Sequence, residues 1–309
     1  MGLIMKNKNI LVTGGSGFLG SHVADALTDQ GYKVTIFDQK ESKWLKDDQE
    51  MIVGDILDQD LVAKIVKDKF AIYHFAAIAG LKEANNNPAQ TIKYNILGTT
   101  NLLEAAVSHN ISRFIFASSV YVYSEHGGFY RATKQSCELL IENYNKIKNL
   151  DYSILRFGSL YGTRANSFNW IHNIIVQALT EKKMIRKGSG EEVRDYIHVS
   201  DASNSCVQAL DDKYKNKYLM LTGFQRIKIK ELLEMISEII NKDIDIVYLD
   251  EKLPGHYNQT PFSFKPRVAS KINLSSYRDL GEGILDSIYE IYNDLKKRKI
   301  KTINMEKKN

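Results

Sequence analysis

The chain has 309 residues, 43% of them hydrophobic, which is enough for a sizeable core and suits a nucleotide-binding domain beside a smaller one. Its formal charge of +5 is local: seven Lys or Arg and one Glu fall in residues 296–309, leaving the remainder at −1, so Lys296–Lys301 reads as a solvated helix end and neither nucleic acid nor membrane is expected as a partner. Only Cys137 and Cys206 are present, with no metal-ligand spacing around them, which argues against a disulfide framework and a metal site. No apolar stretch reaches the ~18 residues of a membrane span, and an apolar strand starts within about ten residues of Met1, so a cytoplasmic setting is expected.

Asn9–Thr13 is a short apolar run of the kind buried in parallel sheets, and Gly14-Gly15-Ser16-Gly17-Phe18-Leu19-Gly20 follows at once. Gly15, Gly17 and Gly20 satisfy G-x-G-x-x-G, and Gly14, Gly17 and Gly20 satisfy the wider G-x-x-G-x-x-G. Between a strand and a helix, such glycines allow a tight turn and a bare backbone against a pyrophosphate, with helix N–H groups aimed at the anion. Val34–Asp38 is the next strand. It ends in an acid at the distance where a carboxylate meets adenosine ribose hydroxyls, so Asp38 favours NAD, while Lys40 keeps NADP open.

Apolar strands at Phe70–His74, Arg113–Ala117 and Tyr152–Arg156 then alternate with helical patterns over 88–109 and from Tyr130 onward, which is repeated βα winding. Ligands of such sheets sit beyond the carboxyl ends of the strands, where the glycine loop, Asp38, Ser118-Ser119 and Arg156-Phe157-Gly158 all fall. Tyr130 and Lys134 lie four apart on one helical face. An ammonium there can lower a phenol from its ordinary ~10 toward neutrality, giving a base for an alcohol proton. Beyond Tyr161 the pattern breaks into mixed pieces with a late helix over 282–299. The expected fold is α/β, a Rossmann-type doubly wound parallel sheet over 1–163 with 195–221 returning to it. Residues 164–194 and 222–309 form a smaller mixed C-terminal substrate-binding lobe. His74 and His198, inside apolar strands, read as packed, hydrogen-bonded histidines.

These motifs together resemble the extended short-chain dehydrogenase/reductases that modify nucleotide-linked sugars, close in pattern to UDP-glucose 4-epimerases. The resemblance spans nearly the whole chain. It rests on Thr13–Gly20, Asp38, Gly54-Asp55-Ile56, His74–Ala77, Tyr94–Thr99, Ser118-Ser119, Tyr130 with Lys134, Arg156–Gly162 and Val193–Val199. It implies a cofactor site made of Gly14, Gly17, Phe18, Leu19, Gly20, Asp38, Asp55, Ile56, Phe75, Ala76, Ala77, Asn95, Tyr130 and Lys134, with Asp55 and Ile56 flanking adenine. It further implies Ser119, Tyr130 and Lys134 as catalytic residues, and Ser159, Asn169 and Arg194 as contacts to a GDP- or UDP-linked sugar. A homodimer or higher oligomer, built on helices over 88–109 and 130–148, is implied in the same way.

The implied chemistry is loss of the C4 hydroxyl's proton to Tyr130 and of the hydride on C4 to NAD. Four departures bear on the outcome. Val120 and Tyr121 replace the Asp and Glu of the family's 4,6-dehydratases, which makes dehydration the lesser reading. Ser159 stands where an Asn is common, and Arg267-Val268 replaces a late Asp. Finally, Ser124–Phe129 is far shorter than the usual loop, so an open site that releases its ketone is expected. That favours net C4 dehydrogenation, as in GDP-manno-heptose 4-dehydrogenases of capsular polysaccharide pathways, with 4-epimerisation as the alternative. A non-catalytic NAD sensor is the reading from another class; it has no need of Ser119, Tyr130 and Lys134 together.

Overall fold

The computed structural model describes residues 8–240, 243–251, 255–261, 270–272 and 275–306. The chain opens with β1 (Asn9–Thr13), α1 (Phe18–Asp29), β2 (Lys33–Asp38), β3 (Gln49–Val53), α2 (Gln59–Val66) and β4 (Ala71–His74). It continues through α3 (Leu81–Asn86), α4 (Pro88–Ile92), a π-turn over Lys93–Leu97, α5 (Gly98–Ser108), β5 (Arg113–Ser119), α6 (Gly128–Lys148) and β6 (Tyr152–Phe157). Next come β7 (Ser159–Tyr161), α7 (Trp170–Glu181), β8 (Lys183–Lys187), β9 (Val193–His198), α8 (Val199–Gln208) and β10 (Lys217–Leu221). The remainder is β11 (Arg226–Lys228), α9 (Ile229–Ile240), β12 (Asp245–Leu249), β13 (Ser270–Lys271) and α10 (Leu280–Glu306).

The chain divides into two compact units, and the first comprises 1–158, 200–222 and 255–274. Its sheet has eight strands in the order β13-β10-β6-β5-β4-β1-β2-β3, and each pairing is parallel. β4 and β6 are buried along their whole length, because helices cover both faces of a parallel sheet and leave no side for polar alternation. The core beneath one face gathers Leu11, Phe37, Ile72, Leu102, Phe114 and Ile141. Strand order reverses between β1 and β4, the position where open α/β sheets leave a crevice at their carboxyl ends.

The expected single helix over 88–109 is instead α4, the π-turn and α5. The π-turn carries the buried Asn95, whose side-chain oxygen accepts from Ile78 N–H at 2.7 Å and whose amide donates to Thr133 Oγ1 at 3.0 Å.

The second unit comprises 159–199, 223–254 and 275–309. It holds a mixed sheet β11-β9-β7, with β9 parallel to β7 and antiparallel to β11, and a parallel pair β12-β8. Its core is aliphatic, with Ile171, Ile175, Leu232, Ile236, Ile284 and Ile288 from α7, α9 and α10.

The boundaries differ from the sequence reading. Residues 159–163 and 195–199 belong to the second unit because β7 pairs with β9 and β9 with β11, and 255–274 cluster with the first because β13 extends the large sheet beyond β10. Arg267 and Val268 lie outside the described residues, as do the side chains from Arg298 onward. Among the described residues no helix is long and apolar enough to cross a membrane, and no group of three potential metal ligands occurs. Cys137 and Cys206 are buried free thiols.

Candidate active site

The glycine loop turns between β1 and α1 with Gly14 at φ +73°, a conformation that side-chain-bearing residues rarely adopt. A Cβ at Gly14 would lie 2.6 Å from Ala76 N, and one at Gly20 would collide with the Gly14 carbonyl oxygen. Each side of the loop is therefore closed to side chains, while Gly17 faces only the Gly14 oxygen at 3.1 Å. Gly17 caps α1 without a side-chain bond, so the N–H groups of Phe18 and Leu19 at the helix start have no intrahelical acceptor. Bare backbone, free N–H groups and the helix dipole form a cradle that fits a dinucleotide diphosphate.

Around the cradle, Asp38 ends β2 and accepts from Ser16 N–H at 3.1 Å and Lys40 N–H at 3.3 Å. Each carboxylate oxygen keeps lone pairs for a further donor. Asp55 accepts from Leu57 N–H at 2.9 Å and from the Tyr94 hydroxyl at 3.2 Å; Ile56 beside it is buried. Phe75 N–H continues the β1 ladder to Thr13 O at 2.9 Å and brings the Ala76 backbone against Gly14, with Ala77 next in sequence. His74 is fully built in, between Thr13 Oγ1 at 2.7 Å and Thr99 Oγ1 at 2.8 Å. Burial, with the Lys134 charge, lowers its pKa to about 3, so it is a neutral packing group as expected.

Ser119, Tyr130 and Lys134 converge where β5 ends and α6 begins. Ser119 Oγ accepts from Tyr121 N–H at 3.3 Å and lies close enough to the Tyr130 hydroxyl to favour its ionised form. Lys134 is buried, donates to the Ala117 carbonyl at 2.7 Å, and holds its ammonium 4.6 Å from the Phe116 ring centroid and 5.7 Å from that of Tyr130. The expected lowering of the phenol by Lys134 is not what prevails here: burial pushes Tyr130 up to about 12, against the Ser119 hydroxyl. Burial also lowers Lys134 to about 8, opposed by Cys137 and Glu138, so the amine's hold on its own charge is weakened.

Beneath the trio lies a buried network that the sequence reading missed. Glu138 takes Arg156 through two bonds, at 2.6 and 2.9 Å, and accepts from the Ser118 hydroxyl at 2.5 Å. Arg156 also meets the Tyr123 hydroxyl and stacks over the Tyr123 and Tyr218 rings. The signal was present in part, since Glu138 repeats the four-residue step from Tyr130 to Lys134; the partner on β6 could not be read from spacing.

The short Ser124–Phe129 loop does not leave the site open on that side. Gly255–Tyr257 lies against it: Gly127 N–H donates to Gly255 O at 3.0 Å, the Tyr121 hydroxyl meets His256 Nδ1 at 2.9 Å, and the buried Tyr257 ring packs 4.8 Å from that of Tyr121. A segment distant in sequence supplies the wall that a longer loop would have supplied.

The three expected substrate contacts belong to the second unit, on elements that meet one another. Ser159 starts β7 opposite Tyr196, and Arg194 is buried on β9 with Nη1 donating to Val193 O at 3.0 Å. Asn169 caps α7: its oxygen accepts from His172 N–H at 3.1 Å and its amide donates to Leu160 O at 2.8 Å, so both ends of the amide are engaged locally.

A family model described as the NAD dependent epimerase/dehydratase family matches residues 10–219, which span the cradle, the trio and most of the large sheet. The chain belongs to this family. Among its relatives is the UDP-N-acetyl-alpha-D-glucosaminuronate decarboxylase of Bacillus cytotoxicus, 29% identical, with 84% of this chain and 89% of that protein covered. Its fold is similar to that of a UDP-N-acetylglucosamine 4-epimerase from Methanobrevibacter ruminantium in complex with UDP-N-acetylmuramic acid. That match has a TM-score of 0.82 at 29% identity, covering 94% of this chain and 100% of the other. A UDP-glucuronic acid 4-epimerase from Bacillus cereus, solved with UDP-glucuronic acid and NAD, matches with a TM-score of 0.81 at 26% identity over 92% and 99% of the two chains. Family enzymes of this kind use NAD and share the Rossmann-type sheet described above.

Proposed function

We propose that this protein is an NAD-dependent enzyme that oxidises the C4 hydroxyl of a UDP-linked sugar and that its net reaction is inversion at C4. The observation that carries the reading is the buried Lys134 one helical turn beyond Tyr130, bonded to the Ala117 carbonyl on the strand that ends in Ser119. Gly14, Gly17, Phe18, Leu19 and Gly20 would hold the cofactor diphosphate, Asp38 the adenosine ribose, Asp55 and Ile56 the adenine, and Phe75–Ala77 with Asn95 the remaining wall. When bound, NAD supplies the acceptor for the C4 hydride.

The rest of the step falls to the protein's own groups. Ser119 and Tyr130 hold the C4 hydroxyl between them, and Tyr130 takes its proton. A phenol held at about 12 gives a strongly basic phenolate once ionised, and Lys134, anchored on the Ala117 carbonyl, is the protein's cation beside it. Arg194 is our candidate for the substrate diphosphate. Asn169 is a weaker one, because its amide is engaged in capping α7.

Inversion, rather than release of the ketone, draws support from the closed side of the site. Net dehydrogenation was favoured by the short loop, and Gly255–Tyr257 now occupies the side expected to be open. The two 4-epimerase neighbours support the same outcome, and the UDP-sugars in their descriptions support UDP over GDP. Val120 is buried, and no carboxylate stands at position 120 or 121, which weighs against dehydration.

The test is incubation with UDP-glucose, UDP-N-acetylglucosamine, UDP-glucuronic acid and GDP-mannose without added oxidant, followed by NMR and mass analysis. Catalytic inversion at C4 with unchanged mass is expected. A stoichiometric ketone two hydrogens lighter than its substrate would establish net dehydrogenation instead, and loss of water would establish dehydration.

A further inference from the structure

Ser119 is the last residue of β5, and the chain on either side of it is tied to one buried ion pair. Glu138 on α6 and Arg156 on β6 are each 2% exposed and meet through Arg156 Nη2 to Oε2 at 2.6 Å and Nε to Oε1 at 2.9 Å. Before Ser119, the Ser118 hydroxyl donates to Glu138 Oε1 at 2.5 Å. After it, in the short helical turn Val120–Tyr123 that Ser119 caps, the Tyr123 hydroxyl accepts from Arg156 Nη1, and its ring centroid lies 4.5 Å from the guanidinium carbon. Ser119 Oγ accepts from Tyr121 N–H within that turn, so where the Ser119 hydroxyl stands follows from where the turn is held. Stability alone does not call for charges at 138 and 156. The loss of hydration offsets much of a buried pair's attraction, and a well-packed apolar pair is often as stable or more so. What an apolar pair lacks is direction, since it has no hydrogen bond to offer Ser118 or Tyr123.

We propose that Glu138 and Arg156 are positioning residues for the Ser119 hydroxyl: gripping the chain through Ser118 before it and Tyr123 after it, they set its place against Tyr130. The role rests on the reading above, in which Ser119 and Tyr130 hold the C4 hydroxyl between them. The pair joins the elements that build the site, α6 with Tyr130, β5 with Ser119, and β6, where Arg156 stands in register with Ser118. Lys134 adds a third hold through the Ala117 carbonyl at 2.7 Å, so the chain is fastened at 117, 118 and 123 around the one residue whose hydroxyl must meet the sugar. A slack turn displaces that hydroxyl, and a shift of about 1 Å in a reacting group can cost about 10²-fold in rate. The loss falls on kcat rather than on binding, because neither Ser118 nor Tyr123 is among the groups assigned to the cofactor or to the substrate diphosphate.

Removing Glu138 or Arg156 alone strands a buried charge and mixes position with stability, so the test cuts the two links and keeps the pair. Ser118→Ala with Tyr123→Phe deletes two hydroxyls and no charge. Full-length chains with NAD are assayed on UDP-glucose, UDP-N-acetylglucosamine and UDP-glucuronic acid, in the native background and again in Ser119→Ala, with sites counted by NAD titration. In the native background kcat per NAD-binding site should fall by about 10²-fold, with KM little changed. In the Ser119→Ala background the same two substitutions should cost almost nothing further, because the group they position is gone. A merely structural role lowers kcat by the same factor in both backgrounds. That result, or a native kcat in Ser118→Ala/Tyr123→Phe, overturns the positioning role alone. If the two changes together prevent folding, each is made singly in both backgrounds and read by the same comparison. A Ser119→Ala enzyme as fast as the native one, or a chain that turns over none of the three sugars, overturns the C4 reading and the positioning role with it.

Discussion

The Lys134 ammonium donates to the Ala117 carbonyl at 2.7 Å, tying α6 to the strand that ends in Ser119. One bond thus fixes the distance between the two elements that carry the candidate alcohol-binding pair. The amine's place is set by a backbone carbonyl, and burial lowers it to about 8 against the opposing charges of Cys137 and Glu138.

Tyr130→Phe removes the proton acceptor and keeps the ring. Turnover should fall by about 10²- to 10⁴-fold, the range for loss of a general base, with NAD affinity retained. Steady-state rates and a cofactor titration on the same preparation check it. A near-native rate would assign the proton to another group.

Asp38→Ala removes the acid at the end of β2, and with it the acceptor of the Ser16 and Lys40 N–H groups. NAD binding should weaken and discrimination against NADP should shrink, as a 2′-phosphate no longer meets a carboxylate. Titration of both cofactors against both proteins gives the ratio. Tighter NADP than NAD binding by the native chain would contradict the role given to Asp38.

Glu138→Gln leaves Arg156 buried without its counter-charge, and breaking a pair of this kind costs about 3–5 kcal/mol. Urea unfolding should show a loss on that scale. Replacing both partners, with Glu138→Met and Arg156→Leu, should recover much of it, because no buried charge then remains.

His74 makes stability depend on pH in a defined direction. Its folded pKa, about 3, lies below the unfolded value of 6.5, so the unfolded chain binds the extra proton between those limits. Its contribution is fully present above 6.5 and is lost as pH falls toward 3, with a slope approaching ~1.4 kcal/mol per pH unit. Denaturant unfolding across that window should show a shallower slope in His74→Asn than in the native protein.

Much of the large sheet was legible because its buried strands are short apolar runs separated by helical periodicity, and the glycine spacing between β1 and α1 has few other uses. The pairing of Tyr130 with Lys134 was legible for the same reason, being a matter of helical geometry. Membership of β9 and β13 was not legible: β13 is only two residues long, and the pairing of β9 with β7 leaves no trace in its composition. The ionisation of Tyr130 was misjudged because spacing reveals a neighbouring charge but not the depth of burial, and burial prevails. The partnership of Tyr121 with His256 spans a sequence separation of 135 and follows from no periodic pattern.

That partnership makes the Ser124–Phe129 loop and the Gly255–Tyr257 segment one heritable part in two pieces. A longer loop grafted from a relative would occupy the ground Gly255–Tyr257 holds, taking from Gly127 its carbonyl acceptor and from Tyr121 the His256 and Tyr257 rings. Conversely, a change at 255–257 made alone would expose a loop too short to cover the site. Productive recombination between this chain and its relatives therefore requires both pieces to be exchanged together.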